Sequence, residues 1–74
     1  MYSPIEVGKR LKELRLKAKK TQDEIANDVG ITRGAYSMYE RGQRTPSPDL
    51  MIGLANAFGR TVQHVFFFGQ NPTK

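Results

Sequence analysis

The sequence predicts an all-α domain built from five short helices. Three observations carry that expectation. Apolar residues recur at three- and four-residue spacing, as in Val7, Leu11 and Leu14, or Met51, Leu54, Ala55 and Phe58. A Ser or Thr able to cap a helix stands before each such run, and Gly30 and Gly59 stand where two runs stop. No stretch alternates as a strand would, and there is no internal repeat, linker or low-complexity segment.

The elements follow in order. Ser3-Pro4-Ile5-Glu6 supplies a capping Ser, Pro at the first helical position and Glu at the third, and opens helix one. Thr21-Gln22-Asp23-Glu24 is a second capping box, and helix two faces Ile25, Ala26 and Val29 inward. Gly30 can take the left-handed conformation that ends it. Thr32 caps helix three, which ends before Gly42, and a loop follows through Pro46. Ser47 and Pro48 open helix four, and Gly59 closes it. Thr61 caps a short fifth helix carrying Val62, Val65 and Phe66. The domain is expected over residues 1–68, with 69–74 a disordered tail.

Composition narrows the function. A chain of 74 residues makes one domain, near the lower limit for folding alone. There is no cysteine, so no disulfide and no thiolate metal site, and a reducing cytoplasm is the expected setting. No apolar run is long enough for a membrane span or a signal peptide. The net charge is +5, and the excess lies in Lys9, Arg10, Lys12, Arg15, Lys17, Lys19 and Lys20, against only Glu6 and Glu13 nearby. Such a cluster suits a polyanion, or it is simply a solvated helix face.

The segment Thr21 to Gly42 decides between these readings. Two capped helices joined at Gly30 form the helix-turn-helix pattern, in which one helix braces phosphates and the next reads the major groove. Ala26 is small where helix three must cross close over helix two, and Ile25, Val29, Ile31, Tyr36 and Tyr39 lock the pair to the core. The outer face of helix three presents Arg33, Gly34, Ser37 and Met38 toward bases. Arg33 can reach guanine O6 and N7 from the helix start. Gly34 lets the backbone approach closely but contributes no side chain. Ser37 can bond a base edge or a phosphate. Met38, expected to be exposed, suits a thymine methyl, with core filling or a dimer contact as alternatives. Gln22 at the start of helix two, with Thr32, Arg41 and Arg44, is expected on phosphates. Glu40 is an anion in the last turn of a helix, where the dipole disfavours it, and so needs a cation. Arg15 is the candidate, through a bidentate pair that pins helix three to helix one.

The words VGKRLKELR, TQDEIANDVGITRGAYSMYERGQRTPS, and LANAFG followed by TVQHVF resemble the Cro/cI-type (XRE family) helix-turn-helix regulators over residues 7–66. The resemblance implies a five-helix lambda-repressor-like domain that binds operator DNA as a dimer. It places the Gln matching Gln22 on a phosphate and the positions matching Arg33, Gly34, Ser37 and Met38 at base edges. It also pairs the Arg matching Arg15 with the Glu matching Glu40. The chain departs from the pattern where family members usually carry Gly-Leu and this one carries Lys19-Lys20. A non-glycine residue in a left-handed stop costs about 1 kcal/mol, so helix one is expected to end differently and the core to be thinner. Gly34 replaces a frequent base-reading side chain. Arg60 replaces an apolar residue before the cap of helix five and removes a hydrophobic staple.

Phe67 and Phe68 have no obvious inward position in this reading, so a homodimer through them is expected, with covering of the domain's own core as the alternative. A two-fold dimer would set two recognition helices about 34 Å apart on a palindromic operator. No sensing or catalytic module is expected after the helices, which resembles minimal phage repressors, restriction–modification controllers or antitoxin-like regulators. His64 has no partner constellation for catalysis, no metal spacing or phosphate loop occurs, and no cofactor or small-molecule ligand is evident. The expected function is sequence-specific transcriptional regulation on double-stranded DNA. A protein-interaction module on the same fold and a sequence-tolerant DNA packer stand as the other readings.

Overall fold

The computed structural model describes residues 3–67. The described chain forms α1 (Pro4–Lys17), α2 (Gln22–Val29), α3 (Arg33–Glu40), α4 (Pro48–Phe58) and α5 (Val62–Phe66). There is no strand among the described residues. The fold is therefore the all-α, five-helix arrangement of lambda-repressor-like domains. The expected tail at 69–74 lies outside the described residues.

Each helix starts where its cap dictates. The side-chain oxygens of Ser3, Thr21, Thr32, Ser47 and Thr61 accept hydrogen bonds from the backbone N–H of Glu6, Glu24, Ala35, Leu50 and His64 respectively. Each bond satisfies a donor that the helix itself leaves free, and removing a cap of this kind costs about 1 kcal/mol. The first two caps are full capping boxes, in which Glu6 and Glu24 reach back to the cap backbone.

Four of the five described helices end by one shared device. After α2, α3 and α4 the chain turns through a left-handed glycine, at Gly30, Gly42 and Gly59. At each turn, one N–H bonds three residues back and the next bonds five residues back. After α1 the same pair of bonds forms, from Lys19 N–H to Leu16 O and from Lys20 N–H to Arg15 O. Here the left-handed residue is Lys19, with φ of 58°. The expected different ending is thus corrected: α1 ends like its neighbours and accepts the strain.

The core gathers Val7, Leu11, Leu14, Ile25, Ala26, Tyr36, Tyr39, Leu54, Ala55, Val65 and Phe66. Helix α1 packs on α3 and α5, α2 on α3 and α4, and α4 on α5. Phe67 is half-buried and packs against this core. The expectation of an exposed Phe67-Phe68 pair is corrected for Phe67, which the end of α5 turns onto apolar neighbours, while Phe68 lies outside the described residues. Leu14, Lys17, Ala18, Phe58 and exposed Arg60 line a cleft of about 170 Å³. Gly8 sets the closest approach. A Cβ on it would lie 2.3 Å from the Glu40 carbonyl oxygen and 2.6 Å from that of Tyr39, so α1 crosses the end of α3 at backbone contact.

That crossing brings Arg15 to Glu40. The guanidinium donates from Nε to Oε2 at 2.6 Å and from Nη2 to Oε1 at 3.2 Å. Gln22 Nε2 donates to Oε1 at 3.0 Å, and the Tyr36 hydroxyl donates to Oε2 at 2.7 Å. One carboxylate from α3 thereby holds α1, α2 and its own helix, and each oxygen accepts twice. Arg15 Nη1 also donates to the Lys20 carbonyl at 3.0 Å, bracing the strained turn at Lys19. Burial alone would raise the Glu40 carboxyl, but the hydrogen bonds from Arg15, Tyr36 and Gln22 outweigh it and hold the group below its ordinary value. The Arg15 guanidinium is raised by its hydrogen bond to Glu40, and the Tyr36 phenol is raised, first by burial and then by that carboxylate.

Two outcomes follow. Lys19→Gly relieves left-handed strain of about 1–2 kcal/mol against about 0.4–1 kcal/mol of added unfolded-state freedom. Chemical denaturation should therefore show a gain of about 0.5–1 kcal/mol. For Glu40, the unfolded carboxyl takes up its proton at a higher pH than the folded one. Stability is full above the unfolded value of about 4.3 and falls as pH drops through the folded value. Glu40→Gln should cost about 3 kcal/mol at neutral pH by stranding Arg15. It should also flatten the acid limb in a denaturation series from pH 7 to 3, and a double-mutant cycle should show strong coupling to Arg15.

Candidate nucleic-acid interface

Helix α3 divides its residues by face. Tyr36 and Tyr39 are buried, while Arg33, Gly34 and Arg41 are exposed and Ser37 is half-buried. The period of the helix does this, because residues three and four apart share a side. Met38 is half-buried, which corrects the expectation of an exposed methionine. It sits where the chain turns back and its carbonyl accepts from Gln43 N–H at 2.9 Å.

An open cleft of about 420 Å³ lies at the entrance of α2, lined by Arg15, Lys20, Thr21, Gln22, Asp23 and Arg33. The structure thus brings together Gln22, expected on a phosphate, and Arg33, expected on a base. It adds Lys20, whose Nζ also bonds Asp28 at 3.0 Å on α2. Arg33 makes no hydrogen bond or ion pair among the described residues, so its guanidinium is available to a ligand. The free N–H groups at the start of α2 and this guanidinium give the cleft an anion-attracting character that Asp23 only partly offsets. Gln22 is held in place, since one amide N–H is spent on Glu40 while its carbonyl oxygen and second N–H have no partner among the described residues. Thr32 Oγ1 accepts from Ala35 N–H and keeps its own proton free. Arg44 is exposed in the loop after α3.

Gly34 has no structural excuse. A Cβ added there would meet nothing within 4 Å, and its backbone is not left-handed. The fold leaves room for a Cβ at this position, yet a glycine inside a helix costs about 1 kcal/mol relative to alanine.

Three features escaped the sequence reading: Gly8, the Tyr36 hydroxyl and the engagement of Gln43 with Arg41. Only the Tyr36–Glu40 spacing of four residues was a usable signal, because it stacks both on one helix side. The Arg10 guanidinium lies 2.8 Å from His64 Nε2 and donates to the His64 carbonyl at 3.3 Å, tying α5 to α1. Desolvation first, and then the neighbouring cations Arg10, Arg60 and Lys17, lower the His64 imidazole. Among the described residues no three His, Cys, Asp or Glu side chains could jointly hold a metal, and no helix is long and apolar enough to cross a membrane.

Comparisons with known proteins agree with this geometry. A family described as Helix-turn-helix matches residues 11–65. An HTH-type transcriptional regulator of Archaeoglobus fulgidus is 34% identical over 82% of this chain and 86% of its own length. The HTH-type transcriptional regulator ImmR of Bacillus subtilis is 39% identical over 80% of this chain, which spans 46% of that relative. The crystal structure of the restriction-modification controller protein C.AhdI from Aeromonas hydrophila superimposes with a TM-score of 0.82 at 32% identity, covering 85% of this chain and 96% of that one. The relatives are regulators rather than enzymes, and the fold, the exposed face of α3 and these likenesses converge: the chain belongs to the Cro/cI-type (XRE) family of helix-turn-helix transcriptional regulators.

Proposed function

We propose that this protein is a sequence-specific regulator that binds a palindromic operator as a dimer, with α3 in the major groove. The observation that carries the reading is the pinned, two-faced α3. Its inward side is locked by Tyr36, Tyr39 and the Glu40 carboxylate, and its outward side offers Arg33, which has no partner among the described residues, beside the cleft at α2. Arg33 reads a guanine, Ser37 and Met38 meet neighbouring base edges, and Gly34 brings the helix backbone against the groove wall. Gln22, Thr32 and Arg44 hold phosphates, with Arg41 beside them. The cytoplasm, in contact with the chromosome, is the compartment this activity requires, and no cofactor enters it.

Two copies per site follow from information content. A single eight-residue recognition helix with one side-chain-free position contacts only about 3–4 base pairs, so two half-sites are needed for a unique operator. The exposed part of Phe67, at the end of α5, is the proposed contact for the second copy. A sequence-tolerant packer is favoured by one feature, the bare Gly34, and salt dependence separates the two readings.

Arg33→Ala should cost about 1–3 kcal/mol and relax preference at one base pair, read by selecting sites from a random duplex pool. Unchanged affinity and unchanged base preference would overturn the orientation of α3. Gly34→Ala should raise thermal stability by about 0.5–1 kcal/mol while weakening operator binding. A variant that is both stabler and equally tight shows that no close backbone approach occurs. Sedimentation of the complex should give two chains per duplex site.

A further inference from the structure

Arg41 does something other than wait for a phosphate. Its Nη1 lies 2.8 Å from Ser37 Oγ, while Nη2 and Nε lie 3.0 and 3.3 Å from Gln43 Oε1. A guanidinium has only donors, so both partner oxygens must be accepting. For Ser37 this leaves the hydroxyl proton directed elsewhere, and it meets no acceptor among the described residues. For Gln43 it fixes the amide orientation without ambiguity. The carbonyl oxygen faces Arg41, and the NH2 group, with two donors, faces away. Three of the five Arg41 N–H groups are spent in the process, which leaves one on each terminal nitrogen.

We propose that Arg41 is a positioning and specificity-determining residue that converts Ser37 and Gln43 into hydrogen-bond donors aimed at DNA. This rests on the reading that α3 lies in the major groove. A serine hydroxyl ordinarily donates or accepts and so discriminates poorly. With its oxygen engaged by a cation, Ser37 favours a base edge that accepts: a purine N7, guanine O6 or thymine O4. Cytosine, which presents its N4 donor, is the disfavoured base on the contacted strand. Gln43, just beyond the helix, presents its NH2 to the adjoining phosphate, where a donor is required and an acceptor would repel. The charge of Arg41 also polarises both groups, strengthening the bonds they give. The clasp is assembled in the free protein, so its donors are ordered before DNA arrives.

The test uses the full chain and its selected operator, with all four bases placed in turn opposite Ser37, at two salt concentrations. The variants are Arg41→Met, Ser37→Ala, the double variant and Gln43→Glu, each checked for an unchanged thermal midpoint. Arg41→Met and Ser37→Ala should each reduce discrimination against cytosine by about fivefold, and the double variant should lose no more than either alone. Gln43→Glu keeps an acceptor for Arg41 but has no donor, so it should weaken every duplex alike and leave the base preference intact. The proposal is overturned if Arg41→Met weakens all four duplexes equally, lowers the salt slope by about 0.9 and adds to Ser37→Ala. That pattern belongs to a phosphate anchor. It is likewise overturned if Gln43→Glu binds as tightly as the parent. A wild-type protein with no base preference at any position overturns the major-groove reading as well, and is distinguished from the first failure by the parent's own selectivity.

Discussion

The carboxylate of Glu40 is the constraint on which the rest of this domain depends. It sits in the last turn of α3 with only 4% of its side chain exposed, in a place where both burial and the helix dipole oppose a negative charge. Four donors from three helices make the charge tolerable there. Taking it away leaves Arg15 buried without its partner and releases the hydroxyl of Tyr36 and the amide of Gln22 together. The same interaction therefore sets the fold and aims the site. Gln22 is oriented at the mouth of α2 by the very bond that ties α2 to α3, and Arg33 is held at the cleft by the helix that Glu40 anchors. A small core can specify one arrangement of helices in this way, because a saturated polar hub penalises every alternative packing that leaves a member unpaired.

The boundaries of the helices were legible because they are written in local chemistry. Ser3, Thr21, Thr32, Ser47 and Thr61 act on backbone groups three residues away, so their effect needs no tertiary information. Gly30 and Gly59 mark stops for the same reason. Lys19 shows the limit of this logic. Its side chain argues against a left-handed turn, yet the turn forms, because Arg15 fixes the Lys20 carbonyl from across the helix and ties the exit of α1 to Glu40. Tertiary contacts prevailed over a local preference worth about a kcal/mol.

The face of the site was legible in outline, and its internal bonds were not. Periodicity separates Arg33, Gly34 and Ser37 from Tyr36 and Tyr39, and that separation is visible in the chain. The engagement of Arg41 with Ser37 and Gln43 depends on how the chain doubles back after α3, which no spacing rule encodes. Met38 and Phe67 failed for a related reason. Met38 lies in the last turn of α3 and Phe67 just after α5, where neighbouring loops and helices rather than the helical period decide burial. Gly8 was read past because a helix glycine has no signature until the partner backbone is known to lie 2.3 Å from its absent Cβ.

The empty space over Gly34 has a consequence for how such a protein changes through time. Nothing within 4 Å depends on what occupies that position, while the residues that build the core point the other way. A new side chain there meets no core neighbour at its Cβ, so it alters the outer face of α3 and leaves the packed side untouched. That outer face can thus change through one substitution without first accumulating stability to spend, and its lineage is free to vary the face while the scaffold stands still.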